Sequence, residues 1–138
     1  MARISNWPRA LSDYITENER HPFIWGEHDC LLFAAGAIKA ITEHDPANFW
    51  RGKYHSAFGA ARVFKDWGGI EEMVATIAGA EGYEEEPVKL AQRGDLMLHH
   101  QRRWPAGGIC MGVWSAFAGA DQITMLKTAS CARAWRVN

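Results

Sequence analysis

Trp25-Gly26-Glu27-His28-Asp29-Cys30-Leu31-Leu32-Phe33-Ala34-Ala35 decides how this chain is read. A turn carrying Gly26 runs directly into an apolar pattern at helical spacing, which makes Asp29 the helix N-cap and Cys30 the first helical residue. Unpaired backbone N–H groups and the helix dipole favour a thiolate over a thiol at such a position, so Cys30 is the candidate nucleophile. The competing reading is a buried, inert cysteine in a helix that packs on the core.

Working outward, the helix that starts at Cys30 runs to about Ile41, with Phe33, Ala34, Ala37, Ile38 and Ile41 as its buried stripe and Lys39 exposed. Upstream, Asn6 caps a helix over Pro8 to Glu19, and His21-Pro22 ends it because the residue before proline is driven out of the α region. Downstream, periodicity is lost from Glu43 to His55, an ordered loop in which Phe49 and Trp50 beside Arg51 offer a docking surface for a partner. Ser56 caps a third helix from Ala57 to Trp67, which Gly68-Gly69 closes as a left-handed pair. A short helix follows over Glu71 to Ala78, and Glu84-Glu85-Glu86-Pro87 reads as a solvated loop.

After Gln92-Arg93-Gly94-Asp95 the helical spacing gives way to short runs. Leu96 to His99, Gly108 to Trp114, Ile123 to Leu126 and Ala134 to Val137 are the candidate strands. N-terminal helices followed by a small antiparallel β-meander is an α+β arrangement, and residues 1–138 make one domain.

Composition excludes several function classes. A net charge of −1 leaves no surplus for phosphate backbones, so nucleic acid is not an expected partner. Three cysteines without paired spacing speak for free thiols rather than a disulfide framework. No C-x-x-C or H-x-x-x-H spacing is present, so no metal is expected, and no cofactor is implied. No run approaches the ~18 apolar residues of a membrane span, and the N-terminus lacks an apolar export segment. The expectation is a protein made in the cytoplasm and not inserted in a membrane.

Three segments, taken in order, carry a resemblance: Trp25-Gly26 to Asp29-Cys30, Gly94-Asp95-Leu96-Met97-Leu98, and Gly108-Ile109-Cys110-Met111-Gly112. They resemble the nucleophile motif, the Gly-Asp strand and the Gly-Ile strand of the NlpC-type branch of the papain-like cysteine peptidases. Asp29-Cys30-Leu31-Leu32-Phe33-Ala34, Arg51-Gly52-Lys53-Tyr54, Gly68-Gly69, Gln92-Arg93-Gly94-Asp95 and Ala134-Trp135-Arg136-Val137 look more closely like a small family encoded in phage and prophage tail modules. The resemblance implies a papain-like fold and a place in the tail tip (baseplate) of a virion. Its implied partners are a tail hub or other tail-tip proteins and, for an active enzyme, peptidoglycan peptides.

The chain also departs from the peptidases it resembles. Aligning Gly108 with the second-strand glycine puts Ala106 where the general-base histidine belongs, with its Cβ expected to face Cys30. The residue that would orient that histidine falls at Phe117 or Ala118, and neither accepts an imidazole N–H. Strand alternation lets only one of His99 and His100 face inward as a substitute base. His28, two residues before the thiol, could supply positive charge. Two functions stay open: a degenerate peptidase fold used as a structural or assembly protein, and an active cysteine hydrolase of peptidoglycan peptides that aids cell-wall penetration.

Overall fold

The structure is a computed structural model that describes residues 2–138. Helices α1 (Trp7–Asn18), α2 (Cys30–Thr42), α3 (Ala57–Asp66) and α4 (Ile70–Ala80) precede six strands. These are β1 (Glu84–Glu86), β2 (Leu96–His99), β3 (Ala106–Cys110), β4 (Trp114–Ala118), β5 (Ile123–Lys127) and β6 (Arg133–Arg136). The strands form one antiparallel sheet in the order β1-β6-β2-β3-β4-β5. The α+β arrangement expected from the sequence is therefore present.

The fold is built around α2. Ten of its thirteen residues are buried, and that all-round apolarity lets it serve as the layer between α1 and the sheet. On one side Tyr14 of α1 lies so close to Gly36 that a Cβ there would overlap its hydroxyl, which instead donates to the Phe33 carbonyl at 2.8 Å. On the other side a Cβ on Gly107 of β3 would come within 3.0 Å of Leu31 Cδ2 and 3.8 Å of Ala34 Cβ. Small residues on both faces let the layers close, and burial of Phe33, Ile38 and Ile41 contributes roughly 1.5–3 kcal/mol each.

Local signals account for the other helices. Ser56 accepts from the Gly59 N–H and caps α3, and Gly68 and Gly69 take positive φ (87° and 110°) between α3 and α4, as their sequence requires. At α1 the expectation is corrected: Asn6 holds the N-cap position but its side chain makes no capping bond. Pro8 inside the first turn leaves one N–H fewer to satisfy.

Two strand expectations are corrected as well. Glu84–Glu86 is the edge strand β1, paired with β6 in the register Glu84↔Arg136, Glu85↔Trp135 and Glu86↔Ala134, and not a solvated loop. Arg133 stabilises that edge by bonding Glu85 through Nε (2.8 Å) and Nη2 (2.7 Å), so the acidic run has cations to face. The run from Gly108 to Trp114 is two elements, β3 and the start of β4, joined by a hairpin turn at Gly112, which takes φ 121°. Both flanks are apolar, so the composition shows no break where the backbone reverses.

Asp95 ties the far end of the sheet to the chain's two ends. It is 1% exposed, receives Arg3 Nη2 at 2.9 Å, the Gln92 N–H at 3.0 Å and the Val137 N–H at 3.4 Å, and follows Gly94 at φ 94°. No described helix is long and apolar enough to cross a membrane.

Candidate functional site

The turn before α2 is built on Gly26, whose φ of 86° favours glycine and whose Cα packs against the Tyr54 carbonyl with no room for a Cβ. Asp29 follows in an extended conformation and caps α2 as the sequence predicts: its Oδ1 accepts from the Leu32 N–H at 3.0 Å. Its Oδ2 accepts from the Gly26 N–H at 3.1 Å and from the Tyr54 hydroxyl at 2.7 Å. The carboxylate is 0% exposed, so three donors replace the water it has lost.

Cys30 is the first residue of α2, as expected, but its chemistry is not that of an activated thiol. Burial, and then the charge of the adjoining Asp29, push the Cys30 thiol up to about 12, while the backbone N–H groups of Gly107, Leu31 and Cys30 itself pull the other way. A helix start offers ~0.3–1 kcal/mol to an anion. Net of those N–H groups, burial and Asp29 cost the thiolate on the order of 4 kcal/mol, so they win and the sulfur is protonated at neutral pH. The expectation of a ready thiolate is corrected accordingly.

The three candidate histidines sit in three different settings. His28 is 3% exposed, stacked on His21 at 4.1 Å and edge-on to Phe33 at 5.5 Å. Burial and the neighbouring His21 hold it down to about 4, so it is neutral and supplies no positive charge to the thiol. His100 is exposed and its Nε2 lies 2.8 Å from Glu71 Oε1. His99 sits opposite Ala106 in the β2–β3 register, so it shares the Ala106 face and not the face packed against α2, which corrects its reading as a base for Cys30. Its ring meets Phe117 at 5.8 Å, and its Nδ1 is buried without a partner.

The residue of β3 turned toward α2 is Gly107. Alternation then places Ala106 and Gly108 on the face shared with Phe117, whose ring covers Gly108. The expected alignment of the Ala106 Cβ with the sulfur is corrected by one residue of register.

Of the proposed docking residues, Trp50 is 5% exposed and belongs to the core, which corrects its reading as a surface contact. Arg51 is held by Asp45 through Nε (2.8 Å) and Nη2 (3.0 Å). Phe49 is 47% exposed and leans on Trp50 and Trp67. An apolar loop stretch thus splits between core and surface.

Sequence reasoning missed Tyr54 and Arg3. Each satisfies a buried carboxylate from far along the chain, and the only advance signal was that a carboxylate inside an apolar segment needs donors. Among the described residues no group of three or more His, Cys, Asp and Glu side chains is placed to hold a metal ion. The cleft between α1 and α2, lined by Tyr14, His21, His28 and Lys39, and the apolar cavity behind α2, lined by Ala34, Ile38 and Trp50, do not reach Cys30.

Residues 2–137 match a protein family described as a domain of unknown function (DUF6950). No curated protein matches the chain.

Proposed function

We propose that this chain, which belongs to the DUF6950 family, is a degenerate relative of the NlpC-type cysteine peptidases that serves as a structural or assembly component of a phage tail tip. A cysteine-led central helix packed on an antiparallel sheet supports the papain-like reading. The tail location rests on the resemblance of the Asp29-Cys30, Arg51–Tyr54 and Gln92–Asp95 segments to tail-module proteins.

The observation that carries the non-catalytic role is the state of Cys30. A nucleophilic cysteine needs its proton taken or its thiolate stabilised, and general-base catalysis contributes ~10²- to 10⁴-fold. Here the thiol is buried beside a carboxylate that opposes ionisation, and Gly107, the β3 residue packed on Leu31 and Ala34 of α2, has no side chain to act as a base. The rival reading, a peptidoglycan-peptide hydrolase, has an unpartnered, buried imidazole nitrogen in His99 Nδ1, but that ring lies on the Ala106–Phe117 face of the sheet and not on the face packed against α2.

A cleavage assay on peptidoglycan peptides separates the two. The structural reading expects no turnover above the Cys30→Ala variant, together with normal incorporation of both proteins into tails. Turnover abolished by Cys30→Ala and by His99→Ala would establish the hydrolase instead.

A further inference from the structure

Strand β1 is three residues long and pairs with β6 alone. Glu84 and Glu85 are exposed, but Glu86 turns inward and is 9% exposed. In the sheet register Glu86 and Met97 both lie opposite Ala134, so Glu86 shares a face with Asp95, which stands two residues before Met97. The Asp95 carboxylate already serves Arg3, Gln92 and Val137. Glu86 Oε1 receives Arg136 Nη2 at 3.3 Å, whereas Oε2 is closed off from solvent and has no donor.

A buried carboxylate oxygen without a donor carries its full desolvation cost. Once protonated, the same oxygen becomes a donor, and Asp95 is the acceptor beside it. The charged groups that face Glu86 are Asp95 at the head of β2, Arg136 on β6 and Arg3 from the N-terminal segment. Arg3 is committed to Asp95 and to the Arg93 and Val137 carbonyls, and the Arg136 side chain is half exposed, so its charge is screened. Burial first, and Asp95 next, push the Glu86 carboxyl up to about 7. An open cleft lined by Arg3, Gln92, Asp95 and Arg136 gives protons a route to the pair.

We propose that β1 is a proton-held edge strand: a proton on Glu86, donated to the Asp95 carboxylate, keeps Glu86 under the sheet edge, and loss of that proton releases β1 from β6. Because the folded carboxyl titrates above its unfolded value, the contribution of the pair is complete below the unfolded range near 4.5 and is lost as pH rises through about 7. Release leaves the outer edge of β6 unpaired, and the device is independent of whether Cys30 is catalytic.

Amide hydrogen exchange on the whole chain tests this. With intrinsic rates divided out, protection of the Glu84–Glu86 amides is expected to fall at least ~10-fold between about pH 5.5 and 8.5, while the β3–β4 hairpin keeps its protection. Glu86→Gln, which stays neutral, should remove the pH dependence. Protection in β1 that is the same at both pH values, or an undiminished fall in the variant, overturns the proposal. Should the variant not fold, the Glu86 carboxyl can be titrated by carbon NMR in the parent. A midpoint near 7 supports the proton held on Glu86, and one near the ordinary ~4.3 of a glutamate overturns it.

Discussion

The Tyr54 hydroxyl donates to Asp29 Oδ2 at 2.7 Å across 25 residues of sequence, and this bond secures the turn that presents Cys30. Asp29 also holds the Gly26 and Leu32 N–H groups, so deleting it strands three donors at once. Tyr54→Phe should cost about 1–2 kcal/mol, and Asp29→Ala about 3 kcal/mol or more, through the lost cap and the unpaired donors. Urea denaturation of both variants checks the order. Equal, small effects would show that the buried carboxylate is not the hub of this turn.

Thiol labelling should follow exposure rather than helix position. Cys30 is 3% exposed, Cys110 0% and Cys131 8%, and burial also pushes Cys131 up, to about 11. Iodoacetamide in the folded protein at neutral pH is therefore expected to modify all three slowly, with Cys131 first and Cys30 only through opening of the structure. Peptide mapping over time reads the order directly. Rapid, selective labelling of Cys30 would contradict the protonated thiol and favour the hydrolase.

Gly26 is the turn position where no side chain fits. Its φ of 86° disfavours any Cβ, and the Tyr54 carbonyl occupies the space a Cβ would take. Gly26→Ala should destabilise by ~2–4 kcal/mol, combining backbone strain with steric overlap. Gly52 has a similar φ of 84° but open space around it, so Gly52→Ala should cost only ~1 kcal/mol. Thermal melts of the pair separate the two causes.

His28 and Glu86 act in opposite directions on acid stability. The folded imidazole titrates near 4, below its unfolded value near 6.5, so its contribution is complete above 6.5 and is lost as pH falls toward 4. His28→Phe keeps a ring against His21 and should remove ~1–3 kcal/mol of that acid-side loss. Chemical denaturation at stepped pH measures the slope. An unchanged slope between pH 6.5 and 4 would mean that His28 is not held neutral.

Where a structural fact depends on near neighbours, the sequence sufficed. Asp29 caps the helix that begins at Cys30, Ser56 caps α3, Gly68-Gly69 turn the chain into α4, and Leu96–His99 is a strand with its predicted limits. Each follows from the dihedral preferences and hydrogen-bonding reach of residues within a few positions. The hairpin turn at Gly112 escaped that reading because apolar residues on both sides mask a change of direction that only the sheet requires.

The site was legible in position and not in chemistry. Helix-start geometry alone argues for a thiolate at Cys30. The protonated state comes from burial under β3 and from an Asp29 carboxylate that Tyr54, distant in sequence, helps to hold in place. Glu86 makes the same point: three glutamates that read as solvated acid become an edge strand because Arg133 and Arg136 of β6 lie opposite, and Glu86 itself titrates beside Asp95. A sequence determines which groups can ionise. Dielectric, register and partner, which decide whether they do, depend on contacts between residues far apart in the chain, and those exist only once the fold has closed.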